Sequence, residues 1–296
     1  MAVEIAPNGP LLSPIVAGMW RLNDWRLNVQ ARVRWLEEAL ALGVTSFDHA
    51  DIYGDYGCEA LFGEALKAAP HLKGQIQVIS KCGIRLKGKA HPYLVNHYDT
   101  SAAYVRAQVD ASLKRLDVER LDLLLIHRPD YLMDAAELAE SFHALKKEGK
   151  VAHFGVSNHS ASQFELLDRQ WPLATNQLEL SVLEHKALDD GTLEQCQAKR
   201  IRPMIWSPLG GGRLFTGKDA QALRVRALLE ALAKDYGVSP ATLAYAWILR
   251  HPSKPLPLTG SGRIAAVKEA VDALKVDLSR EDWYRLWVAC RGHDVP

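Results

Sequence analysis

The chain has 296 residues, 48% hydrophobic and 24% charged, which is enough apolar material for a large core in a folded globular protein. Its 36 basic and 35 acidic residues leave a net charge of +1, and no basic stripe interleaved with aromatics occurs, which argues against a nucleic-acid partner. No run reaches the roughly 18 apolar residues of a membrane span, the start MAVEIAPNGP has no apolar signal core, and Cys58, Cys82, Cys196 and Cys290 are too scattered for a disulfide or zinc framework. The expectation is a reduced, cytoplasmic protein without metal or membrane partners, and a monomer is compatible with it.

In chain order, EIAPNGPLLS reads as a hairpin turning at Asn8-Gly9. Apolar runs then recur: SPIVAGMW (13–20), GVTSFD (43–48), IQVISK (76–81), LDLLLIH (121–127), VAHFGVSN (151–158), ATNQLEL (174–180), RPMIWSPL (202–209) and PLPLTG (255–260). Short continuous runs of this kind suit strands buried on both faces of a parallel sheet. Helical patterns fill the gaps. Thr100 and Ser101 can cap a helix striped by Val105, Val109, Leu113 and Leu116. Asp134 can cap the next, with Leu138, Phe142 and Leu145 inward and Gly149 ending it. Ser160 and Gln163 form a capping box, and Ser239-Pro240 opens a later helix.

Eight strands alternating with helices predict a single α/β domain over 1–296: a (β/α)8 TIM barrel, with the N-terminal β-hairpin closing its bottom and an extra C-terminal helix. A doubly wound sheet is the alternative. In such a barrel the active site lies at the C-terminal strand ends, here Trp20, Asp48, Lys81, His127, Ser157-Asn158, Gln177, Trp206-Ser207 and Gly260-Ser261. A barrel held by packing alone does not need a lysine after QVIS or a histidine after LLLI.

Asp48, Tyr53, Lys81 and His127 together allow one chemistry. A phenol with an ordinary pKa near 10 is a slow acid at neutral pH, and a nearby ammonium makes it a better one. An aspartate would hold that lysine in place, and a histidine could orient a carbonyl oxygen. The set would protonate a developing alkoxide while hydride arrives at carbon. Side chains cannot supply hydride, so a nicotinamide cofactor is implied.

The strings GVTSFDHADIYGDYGCEALFGEAL, VISKCG, LLLIHRPD, GKVAHFGVSN, NQLELS and WSPLGGGRL together resemble the aldo-keto reductases across almost the whole chain, the HRPD after the fourth strand included. The order and spacing of Asp48, Tyr53, Lys81 and His127 match that family's catalytic tetrad. The resemblance implies Tyr53 as general acid/base, Lys81 and Asp48 as its tuning pair, and His127 as substrate orienter. It also implies NADPH/NADP as cofactor, with Ser157, Asn158 and Gln177 at the carboxamide and Trp206 stacking on the nicotinamide. Ser207, Leu209, Gly210, Gly211 and Gly212 would form an anion cradle for the pyrophosphate.

GSGRIA (260–265) matches a dinucleotide fingerprint, but the following VDLSREDWYRLWVA looks helical, so a Rossmann unit is excluded. A helix N-terminus still favours phosphate, and by resemblance Gly260, Ser261 and Arg263 hold the adenosine 2′-phosphate. Ala270 stands where the family has an adenine-reading asparagine. Arg128 replaces a frequent tryptophan; it either faces the pocket or pairs with Asp130. Trp20, Arg128 and the long loop 82–101 are the expected substrate wall, and the absence of a long tail after EDWYRLWVAC implies an open pocket. The expected function is NADPH-dependent reduction of small-molecule aldehydes or ketones to alcohols. The alternatives are a cofactor-binding sensor or auxiliary subunit on the same fold, and a sugar-phosphate isomerase.

Overall fold

A computed structural model describes residues 2–88 and 93–296. Its centre is a closed barrel of eight parallel strands in chain order: β1 (Val16–Gly18), β2 (Ser46–Asp48), β3 (Gln77–Cys82), β4 (Leu121–Ile126), β5 (Val151–Ser157), β6 (Asn176–Glu179), β7 (Met204–Trp206) and β8 (Leu256–Thr259). β8 pairs with β1 through Leu258↔Val16 and Thr259↔Ala17, which closes the cylinder and removes the doubly wound alternative. The runs read as strands are buried almost throughout, as a sheet covered on both faces requires.

The principal helices are α1 (Val29–Ala41), α2 (Cys58–Ala68), α3 (Ala102–Leu116), α4 (Ala135–Lys147), α5 (Ala161–Asp168), α6 (Thr192–Lys199), α7 (Ala220–Asp235), α8 (Pro240–Leu249), α9 (Ile264–Asp272) and α10 (Arg280–Arg291). The last is the extra C-terminal helix. Asp134 caps α4 by accepting from Ala136 N and Glu137 N, the Ser160–Gln163 capping box opens α5, and Ser239 caps α8. Gly149, at φ +74°, follows the end of α4, where a left-handed residue favours glycine.

Two local expectations change. Thr100 and Ser101 do not cap α3: Thr100 gives its N–H and hydroxyl to Asp130, and the Ser101 hydroxyl goes to Asp99. Both hydroxyls are oriented as donors towards nearby carboxylates, and neither oxygen accepts from a helix N–H. Glu137, from α4, accepts the Ala102 N–H instead. The segment 82–101, read as one long loop, contains a small antiparallel ribbon of Ile84–Arg85 with His97–Tyr98, tied by an Arg85–Asp99 ion pair. Residues 89–92 of that loop lie outside the described residues.

At the other end, Val3–Glu4 pairs with Leu11–Leu12, and Asn8 turns the hairpin at φ +58°. Ile5 O accepts from Arg202 N just before β7, so the hairpin covers the N-terminal ends of the strands.

Helix α2 is locked against β3 and α3. Glu59, fully buried, accepts from Ser80 Oγ at 2.6 Å and from Arg115 Nε at 2.7 Å. Four residues on, Gly63 lets the α3 backbone approach so closely that a Cβ there would lie 2.0 Å from Arg115 O. Beside this cluster Asp51, also fully buried, accepts from Ile52 N and more distantly from Tyr104 OH. Burial, then the neighbouring Glu59, raise its pKa from 3.8 to about 8.

Two predictions follow from this packing. Gly63→Ala should destabilise the fold by about 1–3 kcal/mol through overpacking, whereas Gly74→Ala, with nothing near its Cβ, should be close to neutral in denaturant unfolding. Asp51 has a folded pKa above its unfolded one, so the folded state holds an extra proton between pH 3.8 and about 8, and stability falls as pH rises through that window. Asp51→Asn should therefore gain melting temperature over the parent progressively from about pH 4 to about pH 8. A constant difference at both ends would assign the effect to another group.

Candidate active site

Two of the polar strand-end side chains, Asp48 and Lys81, meet Tyr53 in one hydrogen-bonded knot. Asp48 ends β2, and Lys81 lies one residue from the end of β3, in the register Asp48↔Ile79. The Lys81 ammonium donates to Asp48 Oδ2 at 2.6 Å, to His49 O at 2.8 Å and to Tyr53 OH at 3.1 Å. An ammonium has three donors, so all are used. Because the phenol oxygen receives one of them, the Tyr53 hydroxyl hydrogen is left to point elsewhere.

Tyr53 is brought there by a tight turn. Its N–H donates to Ala50 O, and Gly54, Asp55 and Tyr56 follow at φ +60°, +52° and +66°. A Cβ on Gly54 would come within 2.6 Å of Cys58 Sγ, so glycine is required by space as well as by angle. Three consecutive left-handed residues are costly, and the surrounding packing must hold them. Tyr56 OH accepts the Leu86 N–H, which fastens this turn to the ribbon after β3.

His127 directly follows β4, and its ring meets that of Tyr53 edge-on at 5.8 Å. Burial, then the charges of Lys81 and Arg128, hold its pKa well below 6.5, so the imidazole is neutral. Its Nδ1 is buried without a partner. An orphaned N–H is less tolerable than an orphaned lone pair, which favours the proton on Nε2. Burial raises the Tyr53 pKa, with Asp48 in support and Lys81 opposed, so the phenol is protonated at neutral pH. For Lys81, burial pulls the ammonium down, but Asp48 and Tyr53 outweigh it and the group is raised overall.

From Asp48 the network continues across the barrel. Gln177 Nε2 donates to Asp48 Oδ1 at 2.9 Å, Ser157 Oγ donates to Gln177 O, and Asn158 Nδ2 donates to Ser157 Oγ. Trp206 Nε1 then donates to Asn158 Oδ1 at 3.0 Å. Gln177 is the second residue of β6 rather than its end. Asn158 and Ser207, which follow β5 and β7, are left-handed at φ +60° and +49°. The Asp48–Gln177 bond has no sequence signal, since 129 positions separate the two.

The remaining expected positions form the rim. Leu209 precedes a short turn in which Gly210, Gly211 and Gly212 all have positive φ, and Cβ atoms on Gly211 and Gly212 would meet open space. Arg21 Nη2 reaches Gly211 O at 3.4 Å. Gly260 and Ser261 follow β8, and Ser261 Oγ accepts from Arg263 N at 3.2 Å. Arg263 is the N-cap residue of α9 rather than a residue within it; no side chain caps the helix, and Arg263 has no ion pair among the described residues. A Cβ on Gly262 would lie 2.7 Å from the Trp25 ring, so this indole supports the turn. Trp25 sits in a segment without periodicity, and sequence reasoning missed it.

Three expectations on the rim are settled differently or further. Asp130 is taken by Thr100 and by the Leu132 N–H, so the Arg128–Asp130 pair does not form; the Arg128 guanidinium lies 5.8 Å from the Trp206 ring centre. Ala270 is fully buried against the barrel, so it is a core residue and cannot read a base. Trp20 lies beyond the end of β1, 56% exposed, and no hydrogen bond or ring contact links it to Tyr53 or His127 among the described residues.

This arrangement has what a dinucleotide needs: amide groups beside a half-buried indole, a side-chain-free glycine turn, and an uncapped helix start with a free guanidinium. Among the described residues, no group of three or more His, Cys, Asp or Glu could hold a metal ion, and no helix is long and apolar enough to cross a membrane.

Comparison with known proteins agrees with the geometry. The sequence model described as "Aldo/keto reductase family" matches residues 14–288. The chain is 49% identical over 296 residues to oxidoreductase YdhF of Escherichia coli (strain K12), covering 99% of each. It is 42% identical over 291 residues to a 6-dehydroglucose reductase of Agrobacterium fabrum, covering 96% of each. The solved glycerol dehydrogenase of Gluconobacter oxydans superposes with a TM-score of 0.85 at 26% identity, over 99% of this chain and 95% of that one. With the barrel, the knot around Lys81 and these matches together, the chain belongs to the aldo/keto reductase family.

Proposed function

We propose that the chain, working as one barrel unit over 1–296, is an NADP(H)-dependent reductase that converts aldehyde or ketone carbonyls into alcohols, reversibly. The observation that carries this is the Tyr53 hydroxyl: its oxygen is occupied by the Lys81 ammonium, so its hydrogen is free for a substrate oxygen.

In the forward direction Tyr53 donates its proton to the carbonyl oxygen as negative charge develops there. Lys81 stabilises the resulting phenolate across 3.1 Å, and Asp48 holds Lys81 in place. Neutral His127, donating from Nε2, orients the same carbonyl oxygen. In the reverse direction the phenolate takes the alcohol proton. The bound nicotinamide cofactor supplies or accepts the hydride. Asn158, Gln177 and Ser157 would hold its carboxamide, Trp206 its ring, Ser207 and Leu209–Gly212 its pyrophosphate, and Gly260, Ser261 and Arg263 its 2′-phosphate. Arg128 and Trp20 would face the substrate. The names of the similar proteins, oxidoreductases and 6-dehydroglucose reductases, support carbonyl chemistry on small polar substrates.

The direct assay mixes the protein with NADPH and a panel of aldehydes and follows cofactor absorbance. Tight NADPH binding without turnover across the panel would replace the reductase by a sensor. Tyr53→Phe should bind NADPH nearly as the parent does while turnover falls roughly 100-fold or more, the scale of a lost general acid. Parental turnover by this variant would remove Tyr53 as the acid.

Arg263→Ala tests cofactor choice. Losing a charged hydrogen bond to a phosphate of about two negative charges costs roughly 1.5–3 kcal/mol. NADPH binding should weaken about 10- to 100-fold while NADH, lacking that phosphate, keeps its affinity. Fluorescence titrations decide this: equal losses for both cofactors, or none, would take Arg263 out of the site.

A further inference from the structure

We propose that the N-terminal face of the barrel carries a second, non-catalytic binding site for a small anion with a flat apolar body, an aryl carboxylate, sulfonate or phosphate. A cavity of about 1150 Å³ opens there, bounded by Val3 of the hairpin, Arg202 before β7, the turn before β8 and the start of α10. That end is opposite the Asp48–Lys81 knot, and the volume slightly exceeds the roughly 300–1,000 Å³ of ordinary ligand pockets.

The charges on its wall are unbalanced. Arg202, Arg250, Lys254 and Arg280 line the cavity, and none of them forms an ion pair among the described residues, although Arg285 and Arg291 close by are paired with Asp282 and Asp189. The acids on the same wall are Asp189, already bound to Arg291, and Glu194. Four unpaired cations facing one free carboxylate favour an anion. Arg250 is also held in place, since its Nε donates to Leu278 O at 3.0 Å and its other N–H groups stay available. Lys254 stands at φ +51° immediately before Pro255, where a residue with a side chain is ordinarily extended. Backbone cost of this kind persists only where the surroundings impose it.

The apolar part is equally defined. Trp283, Tyr284 and Trp287 line the cavity. Trp283 stacks on Trp247 at 4.8 Å and 5°, and the two indoles exchange reciprocal bonds, Trp247 Nε1 to Trp283 O at 3.0 Å and Trp283 Nε1 to Trp247 O at 2.9 Å. This indole is therefore fixed before any ligand arrives, while Tyr284 beside it is 41% exposed. Rigid aromatic surface next to guanidinium groups suits a planar anion, which can stack and accept paired hydrogen bonds at once. None of these residues belongs to the candidate active site.

The test uses the full chain and 1-anilinonaphthalene-8-sulfonate, titrated by fluorescence with and without saturating NADP. One site is expected, unaffected by NADP, and the uncharged N-phenyl-1-naphthylamine should bind about tenfold more weakly or worse. Arg202→Ala/Arg280→Ala should weaken sulfonate binding by about tenfold or more while aldehyde turnover stays at the parental level. Lys254→Gly, which suits the left-handed angle and removes one charge, should weaken it severalfold without lowering the melting temperature. Displacement of the probe by NADP, equal binding of the uncharged analogue, or parental affinity in the correctly folded variants would each overturn the site.

Discussion

A lysine ammonium with none of its side chain exposed is the constraint on which the candidate site depends. A buried charge is tolerated only when it is paired and its donors are satisfied. Lys81 meets that demand with Asp48, a backbone carbonyl and Tyr53, so the group that needs stabilising is also the one that fixes the phenol. Removing either partner of such a pair leaves an uncompensated charge, at a cost of about 3–5 kcal/mol. Lys81 and Asp48 are therefore structural in their own right. Tyr53 is not: the ammonium keeps two acceptors without it.

The network beyond Asp48 spreads the same constraint over five strands. Asp48 accepts from Lys81 through one oxygen and from Gln177 through the other. Ser157, Asn158 and Trp206 then follow in single steps, so that β2, β3, β5, β6 and β7 contribute to one chain of bonds. A displacement of the Trp206 indole is thus felt at Asn158 and, three bonds on, at the carboxylate that holds Lys81. The residues suited to the two ends of a dinucleotide are not coupled in this way: Arg263 and Ser261 lie on the turn before α9 and, among the described residues, form no hydrogen bond or ion pair with a member of that chain of bonds.

Much of this was legible in the sequence, for a definite reason. Strands buried on both faces have no use for lysine or histidine, so Asp48, Lys81 and His127 at the ends of apolar runs stood out against their surroundings, and Asp134, Ser160 and Ser239 stood out as caps by the same contrast. What escaped depends on groups remote in sequence. Thr100 and Ser101 have cap-forming hydroxyls, but Asp130 and Asp99 take them, and the helix start is satisfied from Glu137, 35 positions away. The ribbon of Ile84–Arg85 and His97–Tyr98 has two residues per strand, too few for any alternation to register. Ala270 stands where the family has an adenine-reading asparagine, and its full burial on the barrel-facing side of α9 is not legible from that resemblance.

The two ends of the barrel treat charge in opposite ways. In the knot at the C-terminal end the Lys81 cation is buried and paired, and the neighbouring Tyr53 and His127 are both neutral at physiological pH. On the proposed function, negative charge developing there would meet hydrogen-bond donors backed by a fixed ammonium. Arg128 stays outside that knot. It lies at the mouth, beside the Trp206 ring, and its charge lowers the pKa of His127 and opposes the rise at Tyr53. That charge adds to burial and to Lys81 in holding the imidazole neutral. At the N-terminal end Arg202, Arg250 and Arg280 line the cavity without an ion pair among the described residues. The cavity lies at the opposite end of the barrel from the knot, so cations can be concentrated there without entering the hydrogen bonds that hold Lys81.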